Sequence, residues 1–356
     1  MKIGILTFHR AFNYGAVLQC YALQEYLKSK GHNVFVIDYR QHFIEKVYFE
    51  INYKYILSKI RKFEISSLLF YIRNIFSVNK REKNFILFRN KYLCLTNPVL
   101  CSNEIPPFDI YIIGSDQVWG LQCTGGLDPI FFGNFKRPKE SLLIGYAISS
   151  NKKSIETIGA DNLNKYCLNF SKLSFREESL ARNINLICKK CVDVCLDPTL
   201  LPDVKIWTNL VDDKWKKKNY ILIYQVRNLD GKINLLKNKA KILSSKIHCD
   251  IIDMSLLTYS PMDFISAIKY AKCVITTSFH ATVFSILFRT PLCCYKLNDG
   301  HDDRYVDLLT SIGAECFLFE TNQIPEIRYA NYDSINEKLY NIKLSSVNYL
   351  DKINEK

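Results

Sequence analysis

At 356 residues the chain exceeds one ordinary core and suits two domains of about 150 residues each, and with 48% apolar and 23% charged residues it is not a disordered polypeptide. It holds no run of about 18 uncharged apolar residues, so no membrane-spanning helix is expected. The net charge of +13 favours anionic partners: phosphorylated substrates, anionic lipid or nucleic acid.

The opening MKIGILTFHRAFNYG has too short an apolar run for a secretory leader, so a cytoplasmic location is expected. KIGILTF (2–8) reads as a buried strand. GAVLQCYALQEYLKSKG (15–31) reads as a helix, with Val17, Leu18, Tyr21, Ala22 and Leu27 at helical spacing and Gly31 as its stop. VFVIDY (34–39) is a second strand, which makes a βαβ unit and predicts a parallel sheet. Residues 41–95 carry eleven Lys/Arg against four Glu, and ILSKIRKF and SSLLFYIRNIF within them read as basic helices. They are either solvated faces packed on a domain or a surface for an anionic membrane.

DIYIIGS (109–115) and SLLIGYAIS (141–149) are further buried strands. KLSFREESLARNI (172–184) is a strand entering a helix, and VDVCLDPTLL (192–201) closes the first half. The charged WTNLVDDKWKKKN marks a boundary, giving expected domains of 1–205 and 206–356. YILIYQV (220–226) opens a second alternation, followed by CDIIDMS (249–255). SPMDFISAIKYAK (260–272) is then a helix with Ser260 as cap and Pro261 in its first turn. CVITTSFH, ATVFSILFRT, PLCCYKL and DDRYVDLLTSIG continue the pattern to residue 313. The fold class is therefore α/β, with two Rossmann-like domains built on parallel sheets.

The 13 cysteines are scattered and sit mostly in apolar runs, as small core residues do. Cys188, Cys191 and Cys195 in CKKCVDVC lack a fourth ligand nearby, so packing is favoured over a metal, and no metal site is expected. The basic residues are not interleaved with a nucleic-acid module, so no nucleic-acid partner is expected.

In parallel sheets ligands bind beyond the carboxyl ends of strands, where helix N-termini offer N–H groups to anions. Four such junctions hold polar residues. Asn13, Tyr14 and Gly15 follow the first strand, without a dinucleotide fingerprint; they either cap the helix or contact a ligand. Ser115, Asp116 and Gln117 in GSDQVW end another strand, and Asp116 is either a helix cap or a general base. Arg176 in FREES leaves an apolar strand and needs an anion, either a structural carboxylate or a substrate group. Ser278, His280, Ala281 and Thr282 span the fourth junction, where His280 either caps a helix or transfers a proton.

Together GILTFHRAFNYGAVLQCYALQEYL, YIIGSDQVW, YAIS, SFREES, LDPTLL, ISAIKYAKCVITTSFHATVFSILF and RYVDLL resemble, in order, the polysaccharide pyruvyl transferase family. The resemblance implies a fold similar to the GT-B glycosyltransferase arrangement, with the active site between the domains. It implies transfer of pyruvate from phosphoenolpyruvate to two hydroxyls of a sugar as a cyclic ketal, with no cofactor. By the same resemblance His280 handles donor binding and proton transfer, Asp116 activates the acceptor, and Arg176 holds a donor anion. The helix start near Ala281 and Thr282 would hold a second anionic group. The acceptor would be a lipid-linked sugar, with the enzyme peripheral on the inner membrane face. The chain departs from the family at Ala281, where Gly is usual, at Gly120, where Asn is usual, and at Ser150-Asn151, where Phe-Gly is common. The alternative in the same fold is a glycosyltransferase using a nucleotide sugar.

Overall fold

The computed structural model of the protein describes residues 1–49, 65–227, 234–255 and 258–354. Seven strands form the first sheet: β1 (Lys2–Leu6), β2 (Asn33–Tyr39), β3 (Leu95–Val99), β4 (Ile110–Ile113), β5 (Leu142–Ile148), β6 (Lys172–Phe175) and β7 (Asp193–Val194). Their order is β3-β2-β1-β4-β5-β6-β7, and all pairings are parallel. Five more form the second: β8 (Tyr220–Tyr224), β9 (Asp250–Asp253), β10 (Cys273–Thr276), β11 (Leu292–Lys296) and β12 (Leu318–Glu320). Their order is β12-β11-β10-β8-β9, again fully parallel. Strands such as IYII (110–113) and CVIT (273–276) are buried at every position because helices cover both faces, which is why they read as continuous apolar runs.

Both orders contain a switch point, between β1 and β4 in the first sheet and between β8 and β10 in the second. A crevice opens outside the carboxyl ends of the strands at such points. Three of the four polar junctions follow β1, β4 and β10; the fourth, at Arg176, follows β6.

Several helices start where the sequence caps them. The Asn13 side chain accepts from the amides of Gly15 and Ala16 at the head of the helix Tyr14–Ser29. Ser260 and Asp263 form a reciprocal capping box on Pro261–Tyr270, satisfying two amides that would otherwise lack partners. Of the basic segment, ILSKIRKF lies outside the described residues, and SSLLFYIRNIF falls in the helix Ile65–Tyr92. The end of that helix packs inward: Phe85 and Phe88 are buried, Asn84 donates to the Thr258 carbonyl at 2.9 Å, and Arg89 donates to the Arg10 carbonyl at 3.0 Å. Among the described residues no helix is long and apolar enough to cross a membrane.

The largest core crosses between the sheets. It joins Val17, Leu18 and Tyr21 of the first helix to Trp207, Phe264 and Phe284. The chain's last helix, Tyr332–Asp351, lies in the stretch expected to belong to the second domain but packs on the first sheet. Its Tyr349 and Leu350 share a core with Ile3, Ile112 and Tyr146, and the Tyr349 hydroxyl donates to the Gly145 carbonyl at 2.8 Å. The three clustered cysteines diverge: Cys188 lies against Cys167, Cys191 is exposed, and Cys195 is in that same core.

Candidate functional site

The cleft is brought together by a glycine. Gly15 stands in the first turn of the first helix, and a Cβ there would lie 1.9 Å from Nδ1 of His280. The bare backbone lets the imidazole of the second domain rest directly on the helix start of the first. His280 follows its own cap, Ser278, whose hydroxyl accepts from the Ala281 amide at 3.4 Å. The ring is buried, and its Nε2 faces the Asp197 carboxylate at 3.5 Å without making a hydrogen bond.

Asp197, which the sequence did not single out, is the hub of the site. Its Oδ1 accepts from the Thr199 amide at 2.9 Å and the Thr199 hydroxyl at 2.6 Å. Its Oδ2 accepts from Arg176 Nη1 at 2.7 Å, with the Ser115 hydroxyl at 3.5 Å. Burial alone would raise this carboxyl's pKa. The charges of His280 and Arg176 and the Thr199 bond overcome that and hold it well below the usual carboxylate range.

Arg176 thus has structural carboxylates as partners. Nη1 binds Asp197, Nε lies 3.3 Å from Glu177, and the guanidinium covers the Phe279 ring at 4.9 Å. Burial works against its charge, but Glu177 and Asp197 more than compensate and raise its pKa. Its Nη2 is buried without a partner among the described residues. Glu177 accepts from the Ser149 hydroxyl at 2.6 Å through Oε1, while its Oε2 has no partner among the described residues. Among the described residues, buried polar atoms without a partner occur on Thr277 and His280, which line one cavity, and on Arg176 and Glu177, which line another. Each carries a cost of roughly 1–3 kcal/mol unless a ligand or water meets it.

The first of these cavities, about 240 Å³, is lined by Asn13, Asp116, Gln117, Thr277, His280 and Arg304 among others. Asp116 adopts a left-handed backbone, φ 77°, and its carboxylate accepts from the Gln117 amide at 2.8 Å. That conformation suits Asp better than most residues and leaves its carboxylate at the cleft. The Asp116 carbonyl accepts from Ser149, tying the β4 junction to β5. Two larger cavities adjoin. One, about 380 Å³, shares Gln117, His301 and Arg304; the other, about 320 Å³, shares Asn13, Asp116, Gln117, Gln122 and Cys123.

Several expected contacts lie elsewhere. Tyr14 is fully buried, stacked on Phe264 at 4.4 Å, and its hydroxyl donates to the Tyr259 carbonyl at 3.1 Å, so it cements the domains together. Ser115 is fully buried, and its hydroxyl donates to the Ala147 carbonyl at 3.1 Å. Ala281 and Thr282 are also buried. Their amides are used by the Ser278 cap, as is the Thr282 hydroxyl, so they do not offer N–H groups to an anion. The first-turn donors outside these capping bonds are the amides of Phe279 and His280. In the loop after β1, His9 and Arg10 are absorbed by carboxylates: His9 Nε2 lies 2.9 Å from Asp38, and Arg10 pairs with Glu45 and Asp38. Arg227 and Arg304, which the sequence did not single out as site residues, complete the second-domain wall.

Among solved structures, a putative UDP-N-acetylglucosamine 2-epimerase from Listeria monocytogenes aligns with 99% of this chain and 95% of its own, at 8% identity and a TM-score of 0.50. It shares the fold, two facing parallel-sheet α/β domains in a GT-B-like arrangement. The UDP-GlcNAc 2-epimerase of Methanocaldococcus jannaschii (96% and 93% covered, 10% identity, TM-score 0.43) and the glycosyltransferase SsfS6 of Streptomyces sp. SF2575 (98% and 96%, 10%, 0.41) are also similar. No curated protein matches at a significant level. The family description "Polysaccharide pyruvyl transferase" matches residues 13–298, a span that includes the Gly15–His280 contact, Asp116, Arg176 and Asp197. The chain belongs to the polysaccharide pyruvyl transferase family.

Proposed function

We propose that the protein transfers pyruvate from phosphoenolpyruvate to two hydroxyls of a sugar in a surface polysaccharide precursor, forming a cyclic ketal. The observation that carries this reading is the imidazole of His280 on the wall of the cavity between the two switch points, its Nε2 buried 3.5 Å from Asp197 with no hydrogen-bond partner among the described residues. Proton transfer to carbon needs an acid held in place in a dry site, and an imidazole backed by a carboxylate meets that need.

In this mechanism His280 protonates the methylene carbon of the donor, and positive charge develops at the adjacent carbon. A sugar hydroxyl attacks that carbon and gives its proton to Asp116. The carbon–oxygen bond to phosphate then breaks, and the second hydroxyl adds, losing its proton as the ring closes. One proton ends on the new methyl group and the other leaves with inorganic phosphate. The Phe279 and His280 amides supply fixed dipoles for the donor's anionic oxygens. A cavity of about 240 Å³ suits a three-carbon donor, and the adjoining cavities leave room for an acceptor. The net charge of +13 favours an acceptor carried on a lipid at an anionic membrane surface.

Thermal unfolding of wild type and His280→Ala with phosphoenolpyruvate, and separately with nucleotide sugars, tests the reading. A ligand at 100 times its Kd adds about 2.7 kcal/mol. Stabilisation by phosphoenolpyruvate that the variant loses is the expected result. Stabilisation by a nucleotide sugar instead would replace the reading with glycosyl transfer.

A further inference from the structure

We infer that Cys167 and Cys188 are a redox-active thiol pair, closed reversibly into a disulfide by exchange with a low-molecular-weight disulfide of the glutathione class. Neither residue lines the cavities of the cleft, so the pair stands apart from the pyruvyl-transfer reading. The two sulfurs lie 3.3 Å apart. One belongs to the last residue of the helix Ala160–Cys167, the other to the last residue of the helix Glu178–Cys188. Bonded sulfurs lie about 2 Å apart, so closure asks for about 1 Å of movement at two helix ends. Those ends are also tied without the sulfurs. Lys190, just beyond Cys188, donates through Nζ to the Cys167 carbonyl at 2.8 Å and to the Phe170 carbonyl. Cys188 packs on the core that holds Leu163, Cys167 and Ile184.

A second thiol contact in the molecule shows what sets this one apart. Cys273 and Cys293 lie 3.8 Å apart on neighbouring strands, both fully buried, and the Cys293 thiol donates to the Glu326 carbonyl at 3.3 Å. Core packing accounts for that pair, which is sealed from solvent. Cys188, in contrast, is only half-buried, so a small disulfide reaches its sulfur, while Cys167 is buried behind it. Burial pushes both thiols up. For Cys188 the Cys167 contact and the Lys190 charge oppose that rise, whereas for Cys167 the Cys188 contact adds to it. Cys188 therefore ionises first and is the attacking sulfur.

The Cys188 thiolate attacks one sulfur of the small disulfide, whose S–S bond breaks. One small thiol leaves, carrying the proton that Cys188 gave up. Cys167 then attacks the Cys188 sulfur, the mixed disulfide breaks, and the second small thiol leaves with the Cys167 proton. The protein loses two electrons and two protons, and the small disulfide gains them. The bridge sits at the far end of the excursion that the chain makes from Arg176, before the helix Glu178–Cys188, to Asp197, after β7. It pins that far end to the neighbouring helix and closes a loop of about 20 residues, which restricts the unfolded chain.

The test exposes the full-length protein to graded ratios of oxidised to reduced glutathione, with peptide mapping under non-reducing conditions and thermal unfolding. A wild-type map that joins Cys167 to Cys188 is expected, with an unfolding midpoint raised by roughly 5–10 °C and returned by dithiothreitol. Cys188→Ala and Cys167→Ala should each lose the bridge and the rise, and Cys191→Ser should keep both. Free thiols at Cys167 and Cys188 under the most oxidising ratio would overturn the inference. So would glutathione held on Cys188 beside a free Cys167, a bridge from Cys188 to Cys191, or a rise that persists in Cys167→Ala.

Discussion

Gly15→Ala is the sharpest perturbation of the cleft. The added Cβ would meet Nδ1 of His280 at 1.9 Å and two further ring atoms at 2.4 and 2.5 Å. The ring must withdraw by about 1.5 Å to reach ordinary contact, yet it is buried and borders Asp197. Overpacking of this kind costs about 1–3 kcal/mol. Helix propensity offsets at most about 1 kcal/mol, because Ala replaces Gly in a helix. A double-mutant cycle isolates the contact. Thermal and denaturant unfolding of wild type, Gly15→Ala, His280→Ala and the double variant should give a coupling of about 1–3 kcal/mol. In the His280→Ala background, Gly15→Ala should be neutral or stabilising, because the ring is gone. Phosphoenolpyruvate affinity should fall at least tenfold in Gly15→Ala, since the imidazole no longer sits where the cavity needs it. Equal costs for Gly15→Ala in both backgrounds would refute the contact and the assembly of the cleft argued from it.

Arg176→Gln and Asp197→Asn each break a buried pair and should each cost about 3–5 kcal/mol in chemical denaturation. Together they should cost clearly less than the sum; additivity would mean that the two do not share one network. The Asp197 carboxyl is held below its unfolded value of about 4. Its contribution is therefore complete above that pH and is lost as pH falls toward the folded pKa, so Asp197→Asn should flatten the acid limb of the stability profile. An acid limb as steep in the variant as in wild type would count against this. Tyr14→Phe should lose about 1 kcal/mol of stability by leaving the Tyr259 carbonyl unmatched, with phosphoenolpyruvate affinity unchanged. A large loss of affinity with stability intact would return Tyr14 to the ligand-binding surface.

Much of this protein was legible in one dimension. The apolar runs at 109–115, 141–149 and 220–226 mark strands β4, β5 and β8, because burial on both faces leaves no polar alternation. Asn13 and Ser260 mark helix starts, because a cap acts on amides two or three residues ahead; the helix expected to begin at Ala281 begins at Phe279, capped by Ser278. The short β3 and β12 and the last helix carry weaker signals: β3 is largely exposed, and the last helix buries few residues.

The junction residues were visible as polar groups at strand ends, but their partners were not. Nothing in LDPTLL announces that Asp197 meets Arg176 and His280, and nothing near Arg304 announces that Asp299 and Asp302 are taken by Arg227. Periodicity and capping report interactions within a few residues, and those the sequence by itself determined. The tertiary structure alone decided that Gly15 makes room for a histidine 265 positions away, that Tyr14 belongs to the interdomain core, and that the last helix returns to the first sheet. Such contacts arise from shape and charge complementarity between surfaces that form only once both sheets have folded, and no local pattern encodes them.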